Sequence, residues 1–239
     1  IARNGVVIGT TDLLTFTDVN VYPNTYEYSL LAFYGTSSGY SAPIPLEVII
    51  PGGNERELVM FEIFTSVNCQ YCPIAAGAMS EFIADGNDAA AIEYHISNYG
   101  ADPFSNTSSD AREDYYMPFY DEESDGSLGY PGVVFNGEAA IEGALADVAT
   151  MKELYMYYYE EQKSKPSVYA LNTWVEPIST DPYVFNLHID ASETLPYFTE
   201  EMRLIVSLTE TNIAYDWQTE SQLDYVNRSM YPDANGTVL

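Results

Sequence analysis

Apolar positions change their period several times along this chain. Up to Ile50 they come in short runs broken by turns: Val6 to Ile8, Leu14 to Phe16, Tyr26 to Tyr34 and Leu46 to Ile50. Tyr26, Tyr28, Leu30 and, less strictly, Phe33 alternate with smaller or polar residues, which predicts a half-buried strand. Pro51-Gly-Gly-Asn54 marks a linker over residues 51–56. Leu58 to Phe64 is then almost continuously apolar, the mark of a strand covered on both faces. Ile74, Ala75, Ala78, Met79, Phe82 and Ile83 recur at helical spacing until Asp85-Gly-Asn stops them.

Ala89 to Ile96 predicts a second strand, and Gly132 to Gly137 a third with its turn. Between them, about 98–129 is polar with one helical stretch, Ser109 to Tyr120, and reads as an insertion. A helix is expected from about Ala140 to Gln162, with Ile141, Leu145, Val148 and Tyr155 on one face. After Lys163-Ser-Lys-Pro166 the period returns to two: Val168 to Val175, Tyr183 to Ile189 and Met202 to Thr209 predict strands. Asp216 to Leu239 has no clear period, and its closing Asp233-Ala-Asn-Gly-Thr turn is expected to lead into further strands.

This order predicts a mixed, multidomain protein: a partial β-sandwich over 1–50, the linker 51–56, an α/β domain over 57–163, and an incomplete all-β, sandwich-like domain over 167–239. The formal charge of −28, from 36 acidic and 8 basic residues, repels nucleic-acid phosphates and anionic membrane surfaces. The 22 Tyr, 10 Phe and 2 Trp argue against disorder. No apolar run is long enough for a transmembrane helix. Asn106, Asn227 and Asn235 each head an Asn-x-Ser/Thr triplet, a glycosylation pattern that also arises by chance.

The chemistry concentrates at Cys69-Gln-Tyr-Cys72-Pro73, between the buried strand and the first helix. A helix N-terminus offers unpaired N–H groups and a positive dipole end, which favour a thiolate at Cys69, while Cys72 lies one turn on and can close a disulfide. Pro73 suits the first turn, where a missing N–H costs little. His95 stands near a strand end, and with two cysteines it makes only three ligands where a structural zinc site takes four, so no metal is assigned. Asp121-Glu-Glu-Ser-Asp125-Gly partly imitates a calcium loop, but Gly132 stands where its bidentate Glu belongs, which excludes an EF-hand and leaves calcium as the one cofactor to consider.

The strand, the Cys69/Cys72 pair, the helix and the later Gly129-Tyr130-Pro131 together resemble the thioredoxin superfamily. That resemblance implies a cis Tyr130–Pro131 bond beside the active site, a Tyr130 backbone able to pair with an extended substrate, and Glu62 as a buried acid that moves a proton from Cys72; read from the strand alone, Glu62 is a structural or solvent-reaching acid. Glu62-Ile-Phe-Thr65, His95, Asp102-Pro-Phe104, Ala111-Arg-Glu-Asp-Tyr-Tyr116 and Gly129-Tyr-Pro-Gly resemble, more narrowly, the 28-kDa outer-membrane-protein family of Bacteroidota. Asn4-Gly-Val-Val-Ile-Gly-Thr, Tyr22-Pro-Asn-Thr-Tyr26-Glu-Tyr28 and Ser41-Ala-Pro resemble the later strands of a fibronectin type III domain, whose early strands are expected upstream of Ile1.

The expected function is thiol–disulfide exchange or redox sensing outside the cytoplasm, in the cell envelope, at the cell surface or after secretion, on a protein thiol or disulfide. The competing expectation is a structural or adhesive surface protein in which Cys69–Cys72 is a local brace and the partners are neighbouring subunits.

Overall fold

The computed structural model describes residues 1–19, 21–34, 39–40, 43–120, 129–194 and 202–239. In chain order the strands begin with β1 (Ala2–Arg3), β2 (Val6–Val7), β3 (Asn24–Leu30), β4 (Phe33–Tyr34), β5 (Gly39–Tyr40) and β6 (Ile44–Ile50). There follow β7 (Val59–Thr65), α1 (Cys72–Ala84), β8 (Ala89–His95), α2 (Thr107–Tyr120), β9 (Gly132–Phe135), β10 (Ala139–Glu142) and α3 (Val148–Lys163). The chain continues through β11 (Tyr169–Thr180), β12 (Tyr183–Glu193), β13 (Arg203–Leu204) and β14 (Val206–Glu210). It ends with β15 (Ile213–Trp217), β16 (Glu220–Leu223), β17 (Val226–Tyr231) and β18 (Thr237–Val238).

Two compact units result, Ile1–Arg56 with Lys165–Glu200 and Glu57–Ser164 with Glu201–Leu239. In the first, a four-stranded antiparallel sheet runs β2-β1-β3-β6, and β11 and β12 form a long hairpin. Leu14 to Phe16, expected as a strand, joins no strand among the described residues, and Leu14 is fully exposed. Its apolar run is too short, and too poorly covered, to reward ladder formation.

The second unit is built on a six-stranded sheet ordered β10-β9-β7-β8-β17-β14. Strands β7, β8 and β17 are parallel, and β9 runs antiparallel to β7. Both faces of β7 are buried, as its continuous apolar run requires. Odd positions Phe61 and Ile63 join Ala78, Met79 and Phe82 of α1 with Met151, Tyr155 and Tyr159 of α3. Phe64 on the other face packs with Tyr94, Val134 and Tyr116 of α2.

Three expectations need correction. The helix expected from Ala140 is a strand first: Asn136 and Gly137 both take positive φ, closing the β9–β10 hairpin as an Asn-Gly pair favours. Helix α3 starts only at Val148, where the Asp147 side chain accepts the Thr150 N–H at 2.8 Å. Ile141 therefore belongs to β10, and Leu145 is exposed. Second, the aperiodic stretch from Asp216 holds most of the β15–β16 hairpin and all of β17. Third, residues 167–239 do not form one β domain: β11–β12 falls in the first unit, while β13 to β18 fall in the second, where β17 lies parallel to β8. A strand buried by pairing partners far away in sequence needs no amphipathic alternation, which is why the pattern concealed it.

Candidate active site

Cys69 and Cys72 are joined as a disulfide at the point where β7 runs into α1. Cys72 is the first residue of α1 and Pro73 occupies its opening turn. The Cys69 N–H donates to Ser66 O at 3.0 Å, which curls the loop back onto the strand end. Gln70 and Tyr71, between the cysteines, are exposed, but Cys69 is only 2% exposed and Cys72 0%.

The cover comes from far along the chain. Trp217, Leu223 and Val226 pack with Cys69, Cys72 and Ala76, flanked by Val67, Phe104, Tyr130, Ile213 and Tyr215. Gln218, in the β15–β16 turn with φ of 55°, donates from Nε2 to Cys69 O at 2.8 Å. Sequence reading gave Trp217 and Gln218 no role. No local pattern ties position 218 to position 69.

The Tyr130–Pro131 bond is cis, Pro131 is buried, and Tyr130 belongs to the disulfide cluster. The Tyr130 hydroxyl lies 3.0 Å from Asn98 Oδ1 and also meets Glu113 Oε1. Burial pushes the Glu113 carboxyl upward against the hydrogen bonds from Tyr130 and Asn98, and burial likewise raises the Tyr130 phenol.

Glu62 is placed otherwise than the resemblance implies. It lies on the α2 face of the sheet, where Arg112 donates from Nε at 2.8 Å and from Nη2 at 3.1 Å, and Tyr94 and Tyr116 donate their hydroxyls. Burial works against the Arg112 cation, but the Glu62 charge more than offsets it and raises the pKa. A carboxylate held by four donors in this way is a structural ion pair.

The acid on the disulfide's side of the sheet is Glu93, which pairs in register with Ile63. It is 1% exposed and neither carboxylate oxygen has a hydrogen-bond partner. Burial, reinforced by the Asp224 charge, pushes its pKa up to about 8. Two residues on, His95 is fully buried, with its ring against Phe104 and Trp217 of the disulfide cluster. His95 Nδ1 lies 2.9 Å from Asp102 Oδ2, and its Nε2 is unpartnered, 3.8 Å from Glu93 Oε2 and beyond hydrogen-bond reach.

Asp102 also accepts the Val67 N–H at 2.8 Å and the Phe104 N–H at 2.8 Å, so one carboxylate ties His95 to the loop that leads into Cys69. Burial opposes the charged form of Asp102, yet these donors, His95 foremost, hold its pKa below the usual range. Glu93 was findable: a lone carboxylate in an apolar strand is the same signal that drew attention to Glu62.

The remaining candidates lie elsewhere. Asn227 is buried, its amide bonded to Ser109 Oγ at 3.0 Å and to Ser207 Oγ at 2.6 Å, so the folded chain does not offer it for glycosylation. Asn106 caps α2 and donates to Asn227 O at 2.9 Å, whereas Asn235 is exposed. The calcium-like stretch 121–128 falls outside the described residues. Among the described residues no three His, Cys, Asp or Glu converge as a metal site, and no helix is long and apolar enough to cross a membrane.

No protein-family model matches the chain, and no curated protein matches it. Two solved structures match the chain. HBP35 of Porphyromonas gingivalis shares 13% identity at a TM-score of 0.55, over 78% of this chain and 60% of its own. Protein AGR_C_4864 from Agrobacterium tumefaciens shares 17% identity at a TM-score of 0.49, over 76% of this chain and 75% of its own. This chain thus spans less than two thirds of the length of HBP35.

Proposed function

We propose that Glu57–Ser164 is a thioredoxin-like module and that its Cys69–Cys72 pair performs thiol–disulfide exchange outside the cytoplasm. Support for the module comes from the order strand, helix, strand, helix, two strands, helix, with the disulfide at the first helix and a cis-proline just ahead of β9. The fold shared with HBP35, from a Bacteroidota species, is compatible with the narrower resemblance to the 28-kDa outer-membrane-protein family. The antiparallel β2-β1-β3-β6 sheet is likewise compatible with a fibronectin type III-like first unit.

One observation carries the functional half. The disulfide is backed by two buried titratable side chains, Glu93 and His95, that keep unpartnered atoms. Buried polar groups left unsatisfied are costly, and a purely structural bond has no use for them. In the oxidised form a substrate thiolate attacks Cys69 Sγ, breaking the Cys69–Cys72 bond, forming a mixed disulfide and releasing Cys72 as a thiolate that takes up a proton. A second substrate thiolate then attacks the mixed disulfide, yielding substrate disulfide and the Cys69 thiolate.

Oxidised chain mixed with a reduced dithiol peptide should be reduced at Cys69–Cys72 as the peptide is oxidised, and Cys72→Ser, given the same peptide in its disulfide form, should trap a mixed disulfide through Cys69 as one peptide thiolate leaves. No exchange, with a reduction potential below about −300 mV rather than in the range of roughly −120 to −270 mV, would sink the proposal. A second reading rests on the burial of both cysteines under the β15–β16 hairpin. Cys69–Cys72 would then be a brace within a surface-assembly protein, and its thiols would resist alkylation even after reduction.

A further inference from the structure

Beside the disulfide cluster, α1, the start of α3 and the β15–β16 hairpin enclose a cavity of about 340 Å³. Its charged lining is all of one sign: Glu81 from α1, Glu93 from β8, Glu220 from β16 and Asp224 just beyond. Ala76, Val148, Trp217 and Leu223 supply apolar wall. Gly77 keeps the passage open, since a Cβ there would come within 3.3 Å of Val148 and 3.5 Å of Glu220 Oε1. An acidic cluster alone would mean little on a chain of this charge. What distinguishes this one is Glu93, buried to 1% with both carboxylate oxygens unpaired.

From this we infer that the cavity binds an alkylammonium group, supplied by a small free amine or by a lysine side chain, with Glu93 as the counter-charge and Trp217, Ala76 and Leu223 around the aliphatic stem. A metal ion fits poorly, because no three His, Cys, Asp or Glu converge among the described residues. Anions meet four carboxylates, of which Glu81 on the rim is already paired with Lys152 while Glu93 is not. An ammonium brings its own N–H donors to two unsatisfied oxygens, and an indole beside a carboxylate is a recurrent setting for organic cations.

The groups that bear on Glu93 are His95 on its own strand, Asp224 and Tyr225 ahead of β17, Tyr155 of α3, and Glu81 and Glu220 across the cavity. Empty, Glu93 keeps its proton up to about pH 8, because burial and Asp224 both oppose its charge. Occupancy by a cation reverses this, so binding at neutral pH should release a proton and tighten as pH rises toward that value.

The test uses the full chain with Trp174→Phe, which leaves Trp217 as the sole indole, titrated with n-butylammonium, with Nα-acetyl-lysine amide, with n-butanol and with calcium. We expect a saturable change in Trp217 emission with one or both ammonium probes. n-Butanol should bind at least about tenfold more weakly, and affinity should rise about tenfold per pH unit below pH 8. Glu93→Gln should weaken binding about tenfold or more, consistent with removal of a buried charge partner.

The two ammonium arms separate a free-amine site from a lysine-docking site. Should Glu93→Gln not fold, Glu220→Gln on the partly exposed rim decides, with a loss of about threefold expected. Equal binding of n-butanol, unchanged affinity in a folded Glu93→Gln or Glu220→Gln chain, or a response to calcium alone would overturn the assignment.

Discussion

At the scale of single residues, two buried glutamates on neighbouring strands behave in opposite ways. Glu62 is compensated, and removing Arg112 should therefore do more damage than a surface charge deletion. Arg112→Met leaves Glu62 buried without a counter-charge, held only by the Tyr94 and Tyr116 hydroxyls, and should cost about 3–5 kcal/mol in urea unfolding. Glu93 is uncompensated, and the sign of its linkage follows. Its folded pKa of about 8 stands above the ordinary 4.5, so the unfolded chain gives up this proton first as pH rises. Stability should fall between about pH 4.5 and 8, by something on the order of 5 kcal/mol from this group alone. Glu93→Gln should flatten that slope, read as urea midpoints across the pH range. The sequence made Glu62 visible as a buried acid, while Glu93, on the face of the sheet that carries the disulfide, drew no notice. Period-two alternation puts Glu62 and Ile63 on opposite faces, and a one-residue offset in a resemblance is enough to cross the sheet.

Among elements, β15–β16 has the largest effect on the site. The hairpin sets Trp217 against the disulfide and ties Gln218 to the Cys69 carbonyl. Trp217→Ala should speed reduction of Cys69–Cys72 by dithiothreitol about tenfold or more, at a stability cost of about 3–5 kcal/mol for lost packing. Gln218→Ala removes one hydrogen bond and should accelerate reduction by a smaller factor, with little change in unfolding. Strand β7, helix α1, strand β8 and helix α2 were legible because each carries its own periodicity or stop signal. The hairpin and β17 were not, because the residues they cover or join, Cys69 and Cys72 for the hairpin and Glu93 of β8 for β17, lie over a hundred residues upstream. The β10 strand was absorbed into the expected helix for a related reason: Ile141 and Leu145 satisfy a helical spacing by coincidence, while the Asn136-Gly137 turn that overrides it is a two-residue signal.

For the molecule as a whole, the charge of −28 sets a background against which every local interaction works. Lys152 bridges Glu81 and Asp85, and Lys163 bridges Asp88, so some of the scarce lysines are spent joining α3 to the α1–β8 corner. The excess of like charge remains. Raising sodium chloride from about 10 mM to about 0.5 M should therefore increase the melting temperature, since screening relieves self-repulsion more than it weakens these few exposed pairs. A fall in melting temperature would show that the lysine bridges dominate. The acidic character was plain in the composition, but that one α/β unit recruits residues 201–239 across an intervening segment was not. Chain order is a weak guide to which strands share a sheet once a segment is inserted.

The parallel seat of β17 against β8 has a consequence for how the protein comes into being on the ribosome. Until Tyr231 has been synthesised, β8 lacks its β17 neighbour and the cysteines lack the cover of Trp217, Leu223 and Val226, so the unfinished chain leaves a strand edge and the pair more exposed than the folded one does. Arrival of the last strands closes both exposures at once. The Cys69–Cys72 pair is thus more open to reagents before its cover exists than after the fold is complete.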